Sequence, residues 1–127
     1  MTPDRERNLD LAVVGNSEVA AIIDSQARLI WMCLPRPDGD PVFSALLTKA
    51  AGNAEQGVFA TDLVDLSYTK QSYVRNTAIV ETIQRDARGG TIRITDFCPR
   101  FKARGRMFRP MMFVRMIERL EGRPVLR

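Results

Sequence analysis

Three groups of side chains in this sequence have chemistry to offer. The first is Trp31 with Arg36 and Asp38, which bring a stacking face, a guanidinium and a carboxylate to one proline-rich turn. The second is the run Pro99 to Arg109, where basic residues interleave with Phe101 and Phe108. That pattern can hold phosphates and stack bases. The third is the set of carboxylates Asp24, Glu81, Asp86 and Asp96, the raw material of general acid–base catalysis. No spacing brings two of these four together. Asp24 and Asp86 fall in turn-like segments, where Asp serves the local backbone. Asp96 closes a strand-like run and Glu81 lies inside one.

What is missing narrows the field further. The chain of 127 residues contains no histidine. That removes Ser-His-Asp and Cys-His nucleophile pairs and the common His-containing zinc sites. The two cysteines, Cys33 and Cys98, cannot build an all-thiolate zinc site, and they are read as buried free thiols. No catalytic residue, cofactor or metal is therefore expected. The net charge of +4, from 19 basic and 15 acidic residues, is a weak argument for a nucleic-acid partner. Pro99 to Arg109 is accordingly read as a solvated basic loop. No apolar run approaches the roughly 20 residues needed to span a bilayer. Met1 to Asp10 has no signal-peptide core, so a cytoplasmic setting without membrane contact is expected.

The elements that must position these groups read as strands. Leu9 to Gly15, Val19 to Asp24 and Arg28 to Leu34 are short apolar runs separated by turn signals. Leu29 to Leu34 is apolar on both faces, as in a covered central strand. Gly57 to Thr61, Val64 to Arg75, Thr77 to Arg85 and Thr91 to Phe97 continue the series, with Ile92 and Ile94 facing inward. Met111 to Leu120 is a long final strand, and Gly122-Arg123-Pro124 turns into the start of another. One helix is expected, at 41–48, with Asp40 as N-cap and Pro41 in the first turn. Residues 1–127 thus read as one all-β domain, an antiparallel β-sandwich with that single short helix. The chain stops inside a strand-like run and is expected to be a fragment. Met111, Met112, Phe113 and Met116 alternate as on a sheet covered on both sides. In a fragment one face or edge would stand open, and self-association by strand pairing is then expected.

The order of motifs resembles the opening of bacterial glycoside hydrolase family 15 proteins, which include glucoamylase-like and trehalase-like enzymes. The resemblance rests on Leu9-Asp10-Leu11, Val14-Gly15-Asn16, Ala20 to Asp24, Ile30-Trp31-Met32-Cys33-Leu34-Pro35-Arg36 and Phe43 to Leu47. Further along, Tyr73, Asn76-Thr77, Glu81-Thr82, Thr95 to Pro99, Val114-Arg115 and Leu120-Glu121-Gly122 also fit. Pro37 stands where an aromatic residue is usual, and Gly39-Asp40 where a Ser-Pro-like pair is usual. The resemblance implies a supersandwich-like β-domain in front of a helical barrel. In the family that barrel carries the glutamate acid and base and hydrolyses α-glucosidic bonds with inversion. Its expected partners are therefore the C-terminal catalytic barrel of the same polypeptide and, through it, an α-glucoside. Inverting hydrolysis needs two carboxyl groups roughly 6.5–9.5 Å apart, and this chain shows no such pair. In this setting Trp31, Arg36 and Asp38 are expected at the substrate rim or the docking face. The plainer reading is a stiff turn, with Trp31 in the core and Arg36 paired to Asp38 or Asp40.

Overall fold

The computed structural model describes residues 10–47 and 57–127. Among these described residues, ten strands form two four-stranded antiparallel sheets and one two-stranded hairpin. The first sheet runs β1 (Leu11–Gly15), β2 (Ala20–Asp24), β3 (Leu29–Leu34), β4 (Asp40–Ser44) in chain order. The second contains β5 (Leu66–Tyr73), β6 (Val80–Asp86), β7 (Thr91–Phe97) and β10 (Val114–Glu121), ordered β10-β7-β6-β5. Between β7 and β10 lies the hairpin of β8 (Phe101–Ala103) and β9 (Arg106–Phe108). No described helix is long and apolar enough to cross a membrane.

Period-two alternation decides which face is buried. Ala12 and Val14 of β1, Ala21 and Ile23 of β2, Val80 of β6, and Ile92 and Ile94 of β7 meet in one core between the sheets. Strand β3 breaks the period and still contributes Leu29 and Met32. The cause is a bulge: Ile22 faces Trp31 while Ile23 faces Leu29, which leaves Ile30 without a partner and turns the phase over. Cys33 and Cys98 are buried free thiols, and burial pushes the Cys98 thiol up to about 11.

Three expectations are corrected. The helix expected over 41–48 is not formed: residues 40–44 are strand β4, followed by a single 3-10 turn at Ala45–Leu47, and Thr48 lies outside the described residues. The capping signal is local, whereas the edge of β3 needs a partner. Val42 and Phe43 suit a strand, and an edge strand tolerates Pro41 opposite Cys33. The basic loop is the β8–β9 hairpin, closed by Arg104 and Gly105, both at positive φ. Finally, the methionines are not covered: Met111, Met112 and Met116 are 55%, 49% and 57% exposed. The tail after Pro124 does pair, in a short antiparallel bridge of Leu126 with Leu63.

Candidate functional site

The β3–β4 loop holds two of the three candidate residues. A backbone bond from Gly39 N–H to the Arg36 carbonyl (2.9 Å) closes it. A Cβ at Gly39 would stand 2.8 Å from the Leu34 carbonyl oxygen, so the turn is too tight for another residue. Arg36 Nε donates to Asp38 Oδ1 at 3.2 Å, and both side chains are 74% exposed. An ion pair so exposed adds little to stability. Both groups keep most of their hydrogen-bonding capacity open to solvent. Trp31 sits elsewhere on the strand, half-buried on the outer face of the first sheet, in a cross-strand row with Ile22 and Ser44. Three residues of strand, about 10 Å, separate it from Leu34, where the loop begins. The loop therefore unites Arg36 with Asp38 and leaves Trp31 on the body of the sheet.

The polar residues on the inward face of the second sheet have a different task. The inward positions of β6 after Val80 are Thr82, Gln84 and Asp86, all buried. Such positions would ordinarily be apolar. Of these, Gln84 faces the β2–β3 turn, whose four successive carbonyls each receive a side chain from the second sheet. Gln71 Nε2 donates to the Asp24 carbonyl (2.9 Å) and Thr69 Oγ1 to that of Ser25 (3.4 Å). Gln84 Nε2 donates to the Gln26 carbonyl (3.1 Å) and Arg115 Nη2 to that of Ala27 (2.6 Å). Part-buried carbonyls deprived of such donors lose part of their hydrogen bonding, so this seam fixes how the turn sits on the sheet. Arg115 is itself held by Asp96, with Nε to Oδ1 at 2.7 Å and Nη2 to Oδ2 at 3.1 Å. The two side chains are 4% and 0% exposed. The guanidinium also lies over the rings of Phe59 and Phe113, at 5.1 and 5.8 Å. Burial raises the Asp96 carboxyl above its ordinary value, against the pull of Arg115.

Other carboxylates are likewise engaged. Asp24 Oδ1 accepts the Gln26 and Arg28 amides, and Asp86 Oδ1 accepts those of Arg88 and Gly90. These are turn-closing roles. Asn16, 2% exposed, accepts from Glu18 and Val19 and donates to the Pro99 and Pro110 carbonyls. It ties the β1–β2 turn to both ends of the segment that carries the β8–β9 hairpin. On that hairpin Phe101 and Phe108 stack on each other, centroids 5.4 Å apart, and Arg109 pairs with Glu18. No group of His, Cys, Asp and Glu among the described residues could hold a metal ion. Sequence reasoning missed the seam. Its only signal was polar residues in the inward phase of β6 and β7.

Comparison with known proteins agrees with the order of motifs. A family model described as trehalase-like, N-terminal, matches residues 4–118. Over 73 residues the chain is 29% identical to a trehalase of Mycolicibacterium smegmatis, covering 58% of this chain and 10% of that protein. A trehalase of Mycobacterium tuberculosis matches with the same identity and coverage. A trehalase of Thermoplasma volcanium is 32% identical over 88 residues, covering 68% of this chain and 14% of the relative. The match thus spans about a tenth of the mycobacterial relatives' length. No solved structure matches the chain.

Proposed function

This chain belongs to the trehalase-like N-terminal family, and from that premise we propose that it is the non-catalytic β-sandwich domain of an α-glucosidic hydrolase of glucoamylase or trehalase type. In this reading it packs on the catalytic barrel of the same polypeptide, as in glycoside hydrolase family 15, and trims the rim of the active site. The observation that carries it is the family match over residues 4–118, with relatives that are themselves trehalases. The employment of Asp24, Asp86 and Asp96 in turns and in a buried ion pair supports it. None of the three is free to serve as acid or base. A cytoplasmic setting belongs to the same reading and is supported by the two free thiols.

The Arg36–Asp38 loop is the part assigned to the rim or the docking face. A guanidinium and a carboxylate held on a rigid turn can each bond a sugar hydroxyl or a polar group of the neighbouring domain. Fold does not need their pairing, since it is a solvent-exposed contact. The test uses the full-length hydrolase with Arg36→Ala and Asp38→Ala together, measuring glucose release from trehalose and thermal unfolding. The expected result is a loss in kcat/KM of roughly tenfold, about one hydrogen bond's difference in transition-state binding. If the pair acts in docking, the melting point of the full-length protein falls as well. Unchanged kinetics with unchanged melting would remove the loop from both roles.

A further inference from the structure

The charge of this chain is unevenly spread. Arg100, Lys102, Arg104, Arg106 and Arg109 lie on or beside the β8–β9 hairpin, and no carboxylate occurs from Phe97 to Ile117. The whole chain carries a net charge of +4, so everything outside this hairpin is slightly acidic. Among the described residues Arg109 alone of the five has a carboxylate partner, Glu18 at 3.4 Å. The other four are exposed, and they do not share a side. Pairing sets Ala103 against Arg106 and Lys102 against Met107, so Arg106 and Lys102 stand on opposite faces. Arg104 sits in the turn between the strands. On the face of Arg106 the rings of Phe101 and Phe108 stack within 15° of parallel, and the two residues remain 50% and 43% exposed. The base of the hairpin is fixed by the buried Asn16, whose amide donates to the Pro99 and Pro110 carbonyls on either side of it. A segment already ordered loses less entropy when it binds.

We propose that the β8–β9 hairpin binds single-stranded nucleic acid, with phosphates on its cations and a base on the open side of the phenyl pair. Each feature selects against another occupant. A folded domain, the rest of the same polypeptide included, packs on one face and leaves the cations of the other face and the tip unmatched. A flexible strand with one negative charge per nucleotide can pass round all three. A membrane surface requires apolar residues at the tip, whereas the tip is Arg104-Gly105 and the phenyl rings lie at the base. An acidic peptide answers the charges and leaves the rings without a planar partner. This inference stands apart from the hydrolase reading.

The test is fluorescence anisotropy of a labelled oligouridylate, about 12 nucleotides long, titrated with the full-length protein. The expected result is saturable binding that weakens with salt at a log–log slope of about −2 to −3, the signature of three or four phosphates on a single strand. Lys102→Glu with Arg106→Glu reverses one charge on each face and should abolish binding. Phe101→Leu with Phe108→Leu should weaken it roughly tenfold and leave the salt slope unchanged. All four positions are exposed, so circular dichroism and melting of both variants should match the parent. A parent that does not bind overturns the proposal, as does binding that survives the charge reversal. Polyglutamate or phosphatidylglycerol vesicles that compete as well as unlabelled oligonucleotide would overturn it in favour of an acidic peptide or a membrane. A charge-reversed protein that melts below the parent would seat a neighbouring domain on the hairpin and overturn it too.

Discussion

At the residue scale the molecule turns on Arg115. Its guanidinium is buried with Asp96, stacked on two phenyl rings, and bonded to the carbonyl of a turn in the opposite sheet. Breaking such a pair leaves one charge buried and uncompensated, so Arg115→Ala should destabilise the domain by about 3–5 kcal/mol in denaturant unfolding. Replacing both partners with apolar residues of similar size, Arg115→Met with Asp96→Leu, should recover most of that loss. A single-variant loss below about 1 kcal/mol would mean the pair is no buried keystone. Cys98 gives a separate pH signature. Its folded thiol is raised by burial from the ordinary 9.0 to about 11. Below pH 9.0 both states hold the proton and its contribution to stability is full. As pH rises towards about 11 the unfolded chain releases a proton that the folded chain keeps, and stability falls. The slope is about 1.4 kcal/mol per pH unit. Cys98→Ala should flatten the stability curve in that window relative to the parent, and parallel curves would refute the shift.

At the element scale, what could be read from the sequence was what neighbouring residues decide. Strand β7 was legible to its ends, because Thr91 to Phe97 alternates cleanly and follows the Gly89-Gly90 turn. The chain from Leu11 to Leu34 was legible for the same reason, although the bulge that brings both Leu29 and Met32 inward leaves no local mark. Strand β4 was misread because Asp40-Pro41 is an honest helix-start signal that a long-range demand overrides: β3 needs an edge partner, and residues 40–44 are within reach of a tight turn. The β8–β9 hairpin was hidden by its charges, since Arg104-Gly105 looks like any basic loop until its positive φ values show a hairpin turn. As for the candidate site, Arg36 and Asp38 were found together, as the plainer reading of the loop had them. Trp31 was placed near them only by sequence distance. The seam escaped entirely. Gln84 meets Gln26 across 58 residues of sequence, and Arg115 meets Ala27 across 88. No periodicity reports a contact of that kind.

At the scale of the whole molecule the question is whether the two sheets are one thermodynamic unit. Their apolar contact is modest: among the described residues the first sheet offers Ala12, Val14, Ala21, Ile23, Leu29 and Met32, and the second Val80, Ile92 and Ile94 with Leu66 packed against them. Polar links supplement it at separate places. Tyr73 of the second sheet bonds the backbone of β1, and the seam grips the β2–β3 turn. Asn16 adds a link from the β1–β2 turn to the chain between β7 and β10. Fastened in several places, neither sheet can leave the other without exposing part-buried carbonyls and an arginine–carboxylate pair, so opening one means opening both. The single tryptophan makes this measurable. Trp31 belongs to the first sheet, so its fluorescence follows that sheet, while far-ultraviolet circular dichroism follows every strand. The two unfolding transitions in urea should coincide. The decisive variant is Gln84→Ala in β6, whose buried side chain bonds the Gln26 carbonyl of the β2–β3 turn. It should lower the Trp31 midpoint and the circular-dichroism midpoint by the same amount, since a single unit transmits the loss of one buried hydrogen bond, about 1–3 kcal/mol, to all its parts. A Trp31 transition that stayed in place while the circular-dichroism curve moved or split would mean that the sheets unfold separately. The seam would then be a contact between two units.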